Sequence, residues 1–176
     1  MRILAAFDKC KDSFSAEDLC ALVRKRINKR SQDISVRCLP QTDGGEGFVS
    51  ILTLAKGGEL RTVEALDSLG RNRPVSIGLL AIEGLSEEVI GLLRLPPKGK
   101  IALIEMASIV GLADLKAEER NPWKTATVGV GECLRECREW GVSAILLGIG
   151  GSSTNDMGLG ALNSLGVRFL DENNNS

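Results

Sequence analysis

The 176-residue sequence contains no histidine and no tyrosine. The first absence excludes a histidine general base, a cysteine–histidine pair and a histidine-rich zinc site unless another chain supplies one. Acid–base chemistry falls to aspartate, glutamate, lysine or cysteine. A basic excess is missing too: 22 lysines and arginines face 23 aspartates and glutamates, for a net charge of −1. That balance gives no reason to expect a nucleic acid or a membrane surface as partner. No apolar run reaches the roughly 18 residues of a spanning helix. Met1–Phe7 is too short for a secretory signal, because Asp8 and Lys9 interrupt it. The expectation is a cytoplasmic protein that begins at Met1. The five cysteines form an odd, scattered set without a CxxC pair, and read as reduced, mostly buried thiols.

What is present suffices for one good core or two small ones, since 43% of residues are hydrophobic. Arg2–Phe7 reads as a strand, and a helix over 16–28 follows the capping pattern Ser15…Asp18. Alternation at Ile34, Val36 and Cys38 predicts a second strand. A helix after Gly47 runs to about Ala55, where Gly57-Gly58 ends it. Strands over 60–66 and 75–82 flank a turn at Asp67–Gly70. A strand over 101–106, a helix from about Val130 to Trp140, a strand over 144–148 and a helix over 159–165 complete the pattern. Leu95-Pro-Pro-Lys-Gly99 is the one linker-like break, which divides the chain into α/β segments 1–98 and 99–176. Alternating strands and helices predict an α/β fold with a mostly parallel sheet and helices on both faces.

Three polar loops follow predicted strands: Asp8–Ser15, Thr42–Gly47 and Gly148–Gly158. In parallel sheets, ligands collect beyond the carboxyl ends of the strands, so the three loops are expected to share one crevice. The last, Gly148-Ile-Gly-Gly-Ser-Ser-Thr-Asn-Asp-Met-Gly158, runs from a strand into a helix and makes a phosphate-sized cup. Asn155 and Asp156 add an amide and a carboxylate at its mouth. Phosphoryl transfer needs cations, oriented N–H groups, a magnesium-binding carboxylate and a group that positions the attacking hydroxyl. Lys11 supplies the charge; Gly44, Gly45, Gly150 and Gly151 allow close backbone approach. Asp43, Glu46 and Asp156 can bind magnesium or act as base. Each feature also has a plainer reading. Lys11 alone is a surface lysine, Asp43 and Glu46 alone form a helix entry, and Asp156 alone is a helix cap. Familiar nucleotide motifs fail: there is no GxxxxGK[ST], and the Rossmann pattern breaks at Ser153 after Gly148 and Gly150.

Taken in order, the loops resemble those of the glycerate kinase family. Asp8-Lys-Cys-Lys-Asp-Ser-Phe-Ser-Ala16 is similar to the family's D-S-F-K-G-S-L-S-A, and Thr42–Gly47 to its A-D-G-G-E-G. Ile104-Glu-Met-Ala107 with Gly111-Leu112, Arg120–Glu132 and Gly148–Gly158 match three further segments. The resemblance implies ATP-dependent phosphorylation of D-glycerate, usually at the 2-hydroxyl, with magnesium. It implies two α/β domains, one flavodoxin-like or Rossmann-like, with the site between them. It also implies roles for particular residues. Lys11, Asp43 and Asp156 would be catalytic, and Asp43 and Glu46 would hold magnesium. Gly44, Gly45, Gly150, Gly151, Ser152, Thr154 and Asn155 would face ATP. Asp8, Ser13 and Arg120 would face the substrate.

This chain departs from the pattern in two ways. The family's serine, phenylalanine and glycine are Lys9, Cys10 and Asp12, and a later glycine is Met157. Asp12 would set a negative charge beside Lys11, and Met157 would restrict the backbone at its turn. The chain also stops near Asp171, about midway along the family's length and before a D-x-Q-T-x-x-G-K motif, with Asn173–Ser176 reading as a fraying end. Little turnover is therefore expected of this polypeptide alone. The competing reading is a non-catalytic, self-associating or binding module, with a homo-oligomer in view. A weaker one is a kinase for another small hydroxy acid, such as a tartronate-like compound.

Overall fold

Two parallel strands open the chain: β1 (Arg2–Ala5) and β2 (Ser35–Cys38), with Arg2 opposite Ser35 and Ala5 opposite Cys38. Parallel neighbours need a crossover, and α1 (Ala16–Arg30) supplies it. Its start follows the capping pattern, with the Asp18 N–H donating to Ser15 Oγ at 3.1 Å. The computed structural model describes residues 1–11 and 13–172. Asp12 and the Asn173–Ser176 end, both singled out above, lie outside the described residues.

A four-stranded sheet forms the body, in the order β3 (Glu59–Leu66), β4 (Asn72–Ala81), β5 (Lys100–Glu105), β6 (Ala144–Gly148). β3–β4 and β4–β5 are antiparallel; β5–β6 is parallel, crossed by α5 (Val128–Glu139). The β3–β4 turn is held by Asp67, whose Oδ1 accepts the N–H groups of Leu69 at 2.9 Å and Arg71 at 2.8 Å. β4 and β5 flank the Leu95–Gly99 break and pair within one sheet.

Helices cover both faces of this sheet, as the α/β pattern predicts. On one face Val130, Cys133 and Cys137 of α5 pack against Val75, Ile77 and Ile104. On the other, Phe48 and Val49 of α2 (Phe48–Ala55) meet Leu80, Ile82 and Leu103. Burial, with the neighbouring Cys137 and glutamates adding to it, pushes the Cys133 thiol up to about 12. Cys137 rises to about 11, again through burial first. Both are inert core thiols, and all five cysteines are free.

Three short helices remain. α6 (Leu159–Ser164) is the expected one, while α3 (Glu87–Leu92) and α4 (Met106–Val110) are additions to the sequence reading. α3 buries none of its residues. α4 follows directly on β5 and is only five residues long, too short for helical periodicity to set it apart from the strand.

Candidate active site

The loops after β1, β2 and β6 meet. The Gly150 N–H donates to Gly44 O at 2.9 Å. A Cβ on Gly150 would lie 2.8 Å from both N and Cα of Gly45, and one on Gly148 would lie 2.7 Å from Gly44 O. Any side chain at either position would force the loops apart. Part of the glycine density is therefore used by backbone packing on backbone.

Beside this junction opens a cleft of about 670 Å³, within the range of small-molecule sites. Lys9, Lys11, Ser13 and the first residues of α1 line it from the first loop; Asp43 and Glu46 come from the second, Gly151 from the third. Arg120 reaches it from the turn ahead of α5, with its Nε anchored on Leu115 O at 3.2 Å. Three cations and three carboxylates thus face one space, with Glu17 in the first turn of α1 as the third carboxylate beside a helix N-terminus that favours anions.

Of the residues singled out in the sequence, the cleft gathers Lys11, Ser13, Asp43, Glu46, Arg120 and Gly151. Asp8, Gly44, Gly45, Gly150, Ser152, Thr154, Asn155 and Asp156 do not line it. Asp8 Oδ1 accepts the Lys9 N–H at 2.7 Å, and Ser152 and Thr154 share a 2.8 Å hydroxyl contact. Asp156 ties α5 to α6: its Oδ2 accepts from Thr127 N at 2.9 Å, Thr127 Oγ1 at 2.8 Å and Gly160 N at 3.0 Å. Burial opposes its charge, but these bonds and the one from Gly158 N–H outweigh it and hold the carboxyl below the usual range.

Three further residues, given no site role by the sequence, contribute. Glu105, 6% exposed at the end of β5, accepts the Val49 N–H at 3.1 Å. It thereby caps α2, whose own N-cap, Gly47, has no side chain. Burial raises the Glu105 carboxyl above its ordinary value, although the N–H groups of α2 and the charge of Lys9 oppose the rise. Lys9 forms an ion pair with Glu46 inside the cleft. Thr127 is the partner that fixes Asp156. Two signals were available: Lys9 stands where the family pattern has serine, and Glu105 is a charged residue closing the apolar run Ile101–Ile104.

Among the described residues, no group of three or more His, Cys, Asp or Glu side chains is placed to hold a metal. Magnesium bound with a nucleotide needs only one or two protein carboxylates, and Asp43 and Glu46 share the cleft, so this donor set fits.

The chain belongs to the glycerate kinase family, whose family model matches residues 3–176. It is 36% identical over 171 residues to a glycerate kinase of Halalkalibacterium halodurans, covering 97% of this chain and 41% of that one. It is 34% identical to the glycerate 2-kinase of Escherichia coli K12, covering 99% and 42%. A crystal structure assigned to glycerate kinase 2 of Salmonella typhimurium LT2 superposes with a TM-score of 0.69 at 34% identity, covering 99% of this chain and 42% of that one. The chain thus spans about two fifths of the length of these relatives.

Proposed function

We propose that this chain is part of an ATP-dependent kinase that phosphorylates D-glycerate, with 2-phosphoglycerate as product, in the cytoplasm. The observation that carries this reading is the cleft in which Lys11, Arg120 and the start of α1 face Asp43 and Glu46. The family relationship supports the same reaction.

Each lining group has a task in that chemistry. Lys11 neutralises charge on the transferring phosphoryl group. Arg120, held by Leu115 O, offers its remaining guanidinium donors to the glycerate carboxylate. Asp43 stands at the cleft with one oxygen engaged by the Gly45 N–H at 3.1 Å, and orients or deprotonates the acceptor hydroxyl. Asp156 holds the third loop and α6 in place, because its oxygens are taken by Thr127, Gly158 and Gly160. Asp43 and Glu46 would hold magnesium, which supplies charge neutralisation at the phosphate oxygens when bound.

The test is a coupled assay of ADP release with D-glycerate, ATP and magnesium. It is run on this chain and on the full-length protein of any longer reading frame that contains it. Glycerate-dependent ADP release by the longer protein is expected, with slow turnover by this chain alone. Cys10 lines the cleft, so glycerate or ATP should slow its alkylation in the folded chain. A folded, full-length protein that releases no ADP with glycerate would overturn the reading.

A further inference from the structure

Lys9 occupies the place of a serine in the family pattern, so its behaviour belongs to this chain. Its ammonium pairs with Glu46 across the first two loops. The Lys9 side chain is 19% exposed and that of Glu46 43%, so the cation is the more enclosed partner. It sits over Gly45, where a Cβ would lie 2.8 Å from Lys9 Nζ; the missing side chain makes room for the ammonium. Its charge also acts on the buried Glu105 behind it. Lys11 and Arg120 line the same cleft, and Asp43 lies beside Glu46 on the second loop.

With Glu46 nearly half exposed, the pair is open to water on its carboxylate side, where an incoming anion can compete for the ammonium. We infer that Lys9 is a ligand-binding cation of this cleft, which trades Glu46 for an oxyanion of the bound ligand. The exchange has a second effect: Glu46, once released, is free to face a cation. A serine at the same place can do neither. The inference rests on the kinase reading of the cleft, and the oxyanion has two sources, the carboxylate of the acceptor acid or a phosphate of the nucleotide.

Calorimetric titration of the folded chain separates them. D-glycerate and tartronate are titrated in metal-free buffer, and a non-hydrolysable ATP analogue with magnesium. Each is titrated into the wild type, Lys9→Ser, Lys9→Arg and, for the metal-free acids, Glu46→Gln, with circular dichroism confirming the fold. Lys9→Ser should weaken one ligand class by roughly tenfold or more, which identifies the source. Lys9→Arg should recover much of the loss. If the acid is the source, Glu46→Gln should tighten it, because the competing carboxylate charge is gone. Equal binding by the wild type and Lys9→Ser overturns the inference and leaves the kinase reading standing. Lys9-dependent binding of tartronate without binding of glycerate supports the inference and sinks the glycerate reading. Binding of no ligand by the wild type overturns the inference, while the kinase reading is decided by the assay of the longer protein. Should Lys9→Ser fail to fold, Lys9→Arg and Glu46→Gln decide: unchanged affinity in both overturns the role of Lys9.

Discussion

Asp156 holds Thr127 by two hydrogen bonds to one oxygen, from the backbone N–H at 2.9 Å and from the hydroxyl at 2.8 Å. Gly160 and Gly158 N–H groups complete the set at 3.0 and 3.2 Å. A single carboxylate therefore joins the start of α5 to the start of α6. Asp156→Ala should lower stability by about 2–3 kcal/mol, because it orphans several donors at once. Its folded pKa lies below the ordinary carboxylate value. The stability it contributes is fully present above that ordinary value and is lost as pH falls through the folded one. Urea titrations between neutral and acid pH should show this slope in the wild type and a weaker one in Asp156→Asn.

Glu105 should behave in the opposite sense. Burial raises its folded pKa, so the folded state binds more protons than the unfolded chain in the window just above the ordinary carboxylate value. Stability is then highest below that value and declines as pH rises through the folded pKa. Glu105→Gln keeps an acceptor for the Val49 N–H and should flatten the decline at little cost near neutrality. Glu105→Leu should cost about 1–3 kcal/mol by leaving that N–H without its partner. The midpoint of urea unfolding against pH checks both variants. A decline that persists unchanged in Glu105→Gln would mean another group titrates there.

Met157 adopts a left-handed backbone, with φ of 52°, and its side chain is 87% exposed. A left-handed conformation costs a non-glycine residue roughly 1–2 kcal/mol, and almost no packing is lost by removing an exposed side chain. Met157→Gly gives back part of that gain in unfolded-state entropy, so a net stabilisation of about 0.5–1 kcal/mol is expected. Thermal unfolding reads it directly; a lower melting temperature would show that the methionine makes a contact worth more than its strain.

Local chemistry made much of this fold legible in the sequence. Ser15 and Asp18 marked the start of α1, Asp67–Gly70 marked the hairpin turn, and the three loops did converge beyond their strands. Lys11, Ser13, Asp43, Glu46, Arg120 and Gly151 share the cleft to which sequence order pointed. What escaped was pairing over distance. Glu105 caps a helix 56 residues before it, and Thr127 meets an aspartate 29 residues after it. No periodicity encodes such partners. α4 was hidden for another reason, since five residues directly after β5 are too few to show a helical period.

The Gly150–Gly44 hydrogen bond also sets an order of events during synthesis. β1, β2 and α1 leave the ribosome early, and local structure can form there at once. The second loop must then wait, its backbone face open, until β6 and the third loop have emerged. A nascent chain paused before Gly148 would hold every cation of the cleft and still lack the surface against which the second loop rests. The third loop is thus the surface that fixes the second in place.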